Sequence, residues 1–273
     1  MIFASLNSEK FKIMEIQIKK TIKAGNSSAV VLPRAWLNKE VRVELVKKTP
    51  EIMLSDVISI VKKNIELKDI IGIYLIGSYA RGEEDKNSDI DILIITDNID
   101  KEMISEGIYN IFIISSGLLR QKLKEDLFPI GQMIKEAKPL LNSVYLASIE
   151  LKITKDNIKW YLDTTEDKLK IIREIINKMK NNNKKYISDK IAYTLILRIR
   201  TLYIIRKLIK NKNYSKRDFV RLIKNISKGA NAYERYLAVK NNLEEKEGIN
   251  IEETERLYKY LKNQLAEIKR FLK

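Results

Sequence analysis

The sequence predicts an α+β chain in three parts: a small β-rich N-terminal module, a central α/β domain built on a mixed sheet, and a C-terminal helical bundle. Three observations predict it. Short β-branched runs broken by Gly and Asn fill residues 14–46. Apolar strands alternate with helical spacing across the middle of the chain. Beyond Asp156 strand signals stop while helical spacing continues. The expected boundaries are 1–48, 54–150 and 156–273.

At 273 residues the chain is long enough for more than one buried core. It has no Cys and no His, which excludes a disulfide framework, thiolate-bound zinc and imidazole catalysis. Only hard, oxygen-ligated metals such as Mg²⁺ or Mn²⁺ remain. Lys and Arg number 52 against 36 Asp and Glu, a formal charge of +16. That excess suits a polyanion such as nucleic acid, and a lysine-rich coding bias would produce it equally well. No apolar run is long enough to span a bilayer and no leader pattern opens the chain, so a cytoplasmic protein with no membrane partner is expected.

In the first part, Ile16, Ile18 and Ile22 suggest a strand and Gly25-Asn26 a turn. Val30-Val31-Leu32 reads as a short strand, Pro33 to Leu37 as one helical turn, and Val41 to Val46 as an alternating strand. This is too little to bury a core alone. Lys23-Ala24-Gly25-Asn26-Ser27-Ser28 and Leu32-Pro33-Arg34-Ala35-Trp36 resemble the AbrB-like swapped-hairpin family. The resemblance implies a homodimer of interleaved hairpins that presents Lys19, Lys20, Lys23 and Arg34 to DNA. A dimerisation or packing module with solvated lysines is the alternative.

Lys47-Lys48-Thr49-Pro50 reads as the boundary to the central part. Ser55-Asp56 is placed to cap a helix running to about Leu67, with Val57, Ile60, Val61 and Ile65 on one face. Ile71 to Ile76 then forms a buried strand that stops at Gly77-Ser78. That turn suits a phosphate: Gly77 permits close backbone approach, Ser78 adds a hydroxyl, and Arg81 adds positive charge. After a polar loop, Asp89 to Ile95 reads as a second strand, with Asp89 and Asp91 on one face. Two carboxylates side by side repel each other unless a cation lies between them, and oxygen ligands beside phosphate suit Mg²⁺.

Gly77-Ser78, ten intervening residues and Asp89-Ile90-Asp91 resemble the signature of minimal polymerase-β-type nucleotidyltransferases, a group that includes antitoxins acting as protein adenylyltransferases. The resemblance implies Asp89 and Asp91 as catalytic metal ligands, with Gly77, Ser78 and Arg81 binding a nucleoside triphosphate such as ATP. It also implies transfer of the nucleoside monophosphate to a hydroxyl, a protein Tyr or Ser before an RNA end or small molecule. The third carboxylate of that superfamily is expected on a later strand. Here the candidate strand, Ile108 to Ile114, carries Asn110 at that place, which can ligate through its carbonyl but cannot act as an anionic base. A non-catalytic DNA-binding regulator whose central domain binds nucleotide or a partner is therefore the second reading.

Further on, helices are expected over Leu118 to Leu127 and Gln132 to Leu141, with Asn142 to Leu146 a closing strand or turn. Trp160 to Met179, Ile187 to Lys210, Ser215 to Ile226, Ala230 to Asn242 and Ile251 to Leu272 read as five helices of one bundle. Such a tail resembles the helical substrate domains appended in the superfamily. It cannot be a HEPN nuclease, whose motif requires His. The three-part order resembles archaeal nucleotidyltransferase proteins.

Overall fold

A computed structural model describes residues 17–19, 21–45, 49–86, 88–229, 231–243 and 248–272. The centre is a five-stranded mixed sheet whose strands lie in the order β5 (Lys101–Glu106), β6 (Tyr109–Ser115), β4 (Ile90–Thr96), β3 (Ile70–Ile76) and β7 (Lys138–Leu141). The N-terminal module contributes β1 (Ile22–Ala24) and β2 (Ser27–Ala29), an antiparallel hairpin about Gly25-Asn26, and a 3-10 turn at Arg34–Trp36. Residues 30–32 and 41–45 are not strand. An alternating segment needs a neighbour to satisfy its backbone groups, and among the described residues none lies beside 41–45. Ile16, Lys20 and residues 46–48 lie outside the described residues.

Pro50 opens a helix here where the sequence reading made it a breaker. Helix α1 (Pro50–Val61) carries it at the first helical position, where a missing N–H costs nothing and the fixed φ suits the helix. Met53, Val57, Ile60 and Val61 of α1 cover one face of the sheet, against Ile73, Leu75, Ile92, Ile94, Ile111 and Ile113. Strands β3 (Ile70–Ile76), β4 (Ile90–Thr96) and β6 (Tyr109–Ser115) are buried on both faces, which explains their near-continuous isoleucine. β4 pairs antiparallel with β3 and parallel with β6. The edge strands β5 (Lys101–Glu106) and β7 (Lys138–Leu141) were not legible, being short and mixed in polarity. The stretch expected as one helix from Gln132 to Leu141 divides accordingly into α4 (Ile130–Glu136) and β7, and 143–148, expected as strand or turn, is a helical turn and a half.

The second face of the sheet, through Tyr74, Ile76, Leu93, Ile95 and Ile114, packs on helices. These are α3 (Ser116–Glu125), α4 and the C-terminal bundle of α6 (Lys155–Asn181), α7 (Asp189–Ile209), α8 (Lys216–Ser227), α9 (Asn231–Lys240) and α10 (Ile251–Phe271), with the short α2 (Gly77–Arg81) and α5 (Ser143–Ser148) at the sheet ends. The five expected bundle helices are all present. Thr154 and Asn157 form a reciprocal cap for α6, and Ser215 caps α8 through the amide of Asp218. One apolar cluster runs from the sheet face through the bundle, so the bundle is continuous with the central core across the expected boundary at 150–156. Two-residue strands β8 (Tyr186–Ile187) and β9 (Ile249–Asn250) tie the start of α7 to the start of α10.

Candidate active site

Alternation along β4 decides where the acidic pair sits. Ile90, Ile92 and Ile94 face α1, so Asp91, Leu93 and Ile95 face the helical side, and Asp89, two residues earlier, has the same parity. Asp91 pairs with Ile76 of β3 on one side and with Asn110 of β6 on the other. The first pairing sets the Gly77-Ser78 turn against the Asp91 side chain. Gly77 has φ +69°, and a Cβ built on it would overlap the Asp91 carboxylate, so only glycine allows this approach. The structure thus brings together Gly77, Ser78, Asp91 and Asn110 at one end of the sheet, with Asp89 at the entry to β4.

Burial raises the pKa of Asp91, the Asn110 hydrogen bond lowers it, the Asp89 charge raises it and Arg81 lowers it, with a net rise. Mutual repulsion of two carboxylates is what a hard cation placed between them relieves. Among the described residues no group of three acidic side chains forms a metal cage. The two aspartates are hard oxygen donors, the kind that Mg²⁺ takes one or two of beside phosphate oxygens. Asn110 donates its Nδ2–H to Asp91 Oδ1 at 3.5 Å, and its Oδ1 accepts from Ser105 Oγ at 2.9 Å. In this orientation the amide steadies Asp91 and turns its carbonyl towards β5.

Two carboxylates that sequence spacing did not single out hold the turn in place. Glu136, at the end of α4 and only 6% exposed, accepts the Gly77 N–H at 2.9 Å through Oε1. Its Oε2 accepts Arg81 Nη1 at 2.7 Å. Arg81 also donates Nε to Glu83 Oε2 at 3.0 Å and stacks on Tyr214, 5.4 Å from the ring centre. Arg81, expected to meet phosphate, is thus clamped between two carboxylates at 13% exposure. Among the described residues no protein group hydrogen-bonds the Ser78 hydroxyl.

Glu83 reaches across to the bundle. It accepts hydrogen bonds from Ser215 Oγ at 2.8 Å, the Lys216 amide at 2.9 Å and the Arg217 amide at 3.3 Å, at the start of α8. The loop carrying the acidic pair is thereby fastened to α8 through the helix's own unsatisfied amides. No sequence signal pairs Glu83 with Ser215 or Glu136 with Gly77, because each contact is made only by the tertiary fold. Of the expected DNA contacts, Lys19, Lys23 and Arg34 are exposed in the N-terminal module, and Lys20 lies outside the described residues. Lys135 donates to Asn211 at 2.6 Å, joining α4 to the end of α7.

The family model of the nucleotidyltransferase domain matches residues 54–258, spanning both the sheet and most of the bundle. Among solved structures, a nucleotidyltransferase-like protein from Exiguobacterium sibiricum is 12% identical over 79% of this chain and 75% of its own, with a TM-score of 0.38. Spectinomycin adenyltransferase AAD(9) from Enterococcus faecialis, solved with ATP and spectinomycin, is 15% identical over 78% of this chain and 98% of its own, with a TM-score of 0.39. A comparison with curated proteins returned no match.

Proposed function

The chain belongs to the nucleotidyltransferase domain family, and from that premise we propose that it transfers a nucleoside monophosphate from a triphosphate, ATP by the sequence resemblance, to a hydroxyl acceptor. The hydroxyl oxygen attacks the α-phosphorus, the bond to the bridging oxygen breaks, pyrophosphate leaves and the hydroxyl proton passes to water. A protein Tyr or Ser is the acceptor that the resemblance implies. The observation that carries this reading is the close packing of the Gly77-Ser78 turn on Asp91, which sets the Ser78 end of the turn beside the carboxylate pair.

Asp89 and Asp91 would hold Mg²⁺ or Mn²⁺, whose charge neutralises the triphosphate and polarises the α-phosphorus. The remaining work belongs to the chain. Ser78 offers its hydroxyl to a phosphate oxygen, Glu136 fixes the turn by holding the Gly77 amide, and Arg81 locks Glu136 and Glu83 in register. Asn110 keeps Asp91 in its rotamer. The N-terminal hairpin, with Lys19, Lys23 and Arg34 exposed, serves as a DNA-binding or dimer-forming module in this reading.

The test is transfer of label from α-labelled ATP with Mg²⁺ or Mn²⁺, comparing the wild type with Asp89→Asn/Asp91→Asn. The expected outcome is label in product from the wild type and a loss of at least about a hundredfold in the double variant. The neutral Asn110 favours a second reading, in which the site binds nucleotide without turnover and the protein acts as a DNA-binding regulator. Tight nucleotide binding with no label in any acceptor would select it.

A further inference from the structure

We infer that the outward face of α8 is a docking surface for a nucleic-acid strand whose terminal hydroxyl is delivered to the Asp89/Asp91 site. The inference rests on the nucleotidyl-transfer reading for its acceptor role, with the strand end in place of the protein hydroxyl that the resemblance implies, and on the surface itself for binding.

Charge along the chain points to this place. Between Arg206 and Lys228 lie nine basic residues and a single acidic one, Asp218, against a ratio of 52 to 36 in the whole chain. Folding puts these charges in one place. Phe219, Ile223 and Ser227 of α8 are buried, while Lys212, Lys216, Arg217, Arg221, Lys224 and Lys228 are exposed. Arg217, Arg221, Lys224 and Lys228 follow spacings of four, three and four, so they form one ridge about 16 Å long. Of the six exposed cations, only Arg221 has an acidic partner among the described residues, Asp218 at 3.8 Å and itself exposed.

Position gives the ridge its meaning. Its start is the helix end held by Glu83, in the loop that leads to Asp89. Glu83 also holds Arg81, whose charge acts on Asp91, so the start of α8 lies on the side of the acidic pair and a strand laid along the helix has one end there. The kind of polyanion follows from what the ridge lacks. No large apolar side chain between Tyr186 and Leu243 is exposed among the described residues, so the face has no wedge for a lipid bilayer. Exposed aromatic rings for stacking bases are absent there too, which fits backbone contact indifferent to sequence. In the acceptor step, the terminal ribose or deoxyribose oxygen bonds to the α-phosphorus, the bond to pyrophosphate breaks, and the proton goes to water.

The experiment measures binding of fluorescent single-stranded RNA and DNA oligonucleotides of one sequence to the full chain across a salt series, and transfer of α-labelled ATP onto their 3′ ends. It compares the wild type, Arg217→Gln/Arg221→Gln/Lys224→Gln, and Lys19→Gln/Lys23→Gln. Circular dichroism checks that the triple variant keeps its helices, since its buried face is untouched. The expected result is that the triple variant binds at least tenfold more weakly with a log–log salt slope flatter by about 2, three contacts at roughly 0.7 each. The preferred strand identifies the source, and a 3′-blocked strand should take no label.

Equal affinity and slope in the wild type and triple variant would overturn the surface, even where the Lys19/Lys23 variant loses binding. Preference for anionic vesicles or an acidic polypeptide over both strands would also overturn it. Label on a protein or small hydroxyl with no strand binding defeats the surface alone. Strand binding through α8 with no label from ATP in any acceptor defeats the transfer reading and the acceptor role, leaving binding intact.

Discussion

Gly77 is the residue on which the site's geometry turns. A methyl group there would collide with the Asp91 carboxylate and also sit at φ +69°, a conformation that costs a side chain about 1–2 kcal/mol. Gly77→Ala is therefore expected to lose transfer by at least about tenfold while lowering the melting temperature by only a few degrees. Steady-state transfer and a thermal melt on the same preparation separate the two effects. Asn110 supports the complementary experiment. Asn110→Asp places a third carboxylate beside Asp91 and keeps the acceptor for Ser105 Oγ. In EDTA the variant should melt below the wild type because three like charges converge, and Mg²⁺ should raise its melting temperature more than it raises that of the wild type. If Mg²⁺ moves neither protein, the assignment of a cation to this site is wrong. Gly77, Ser78, Asp89 and Asp91 stood out as candidates in the sequence because spacing and alternation are local properties, whereas Asn110 came only from the resemblance, its place beside Asp91 being set by the pairing of β4 with β6. Glu136 was not, because its bond to Gly77 depends on α4 ending at the sheet edge.

At the scale of elements, Glu83 connects the loop after α2 to α8. Burial pushes its pKa up, but the Lys216 amide, Arg81, Ser215 and the Arg217 amide outweigh burial and hold it below the ordinary carboxylate value. A carboxylate with a depressed folded pKa adds stability above its unfolded value near 4.3 and loses it as pH falls through the folded value. Glu83→Gln should accordingly cost about 2 kcal/mol at pH 7. The gap from the wild type should close below about pH 4. Denaturant melts at several pH values measure it, and a gap unchanged with pH would show that the side chain's shape, not its charge, secures α8. Helices α6 to α10 were legible from their period, and Ser215 from its capping position. The edge strands β5 and β7 were not, since strands half facing solvent carry mixed residues and owe their pairing to β6 and β3.

For the molecule as a whole, the apolar surface is unevenly shared. Ile22, Val31, Leu37, Val41, Val43 and Leu45 are all exposed within the N-terminal module, Leu45 at 91%. The module touches the rest of the described chain through Ile18, whose carbonyl lies against Gly107. A stretch with alternating valines, no strand partner among the described residues and this much uncovered apolar area is what an interleaved hairpin from a second copy would cover. The sequence reading made 41–46 a strand; residues 41–45 are not strand, and among the described residues no strand pairs with them. The expected outcome is a dimer across a concentration series in light scattering. Val43→Ser/Leu45→Ser should be monomeric with the main thermal transition unmoved, because the sheet and bundle share a core that does not include these residues. Backbone amides of 41–45 should exchange slowly with solvent in the wild type and rapidly in the variant, since only the dimer gives them ladder partners. A wild-type chain that stays monomeric at every concentration, with fast exchange at 41–45, would leave those valines uncovered and defeat the hairpin pairing.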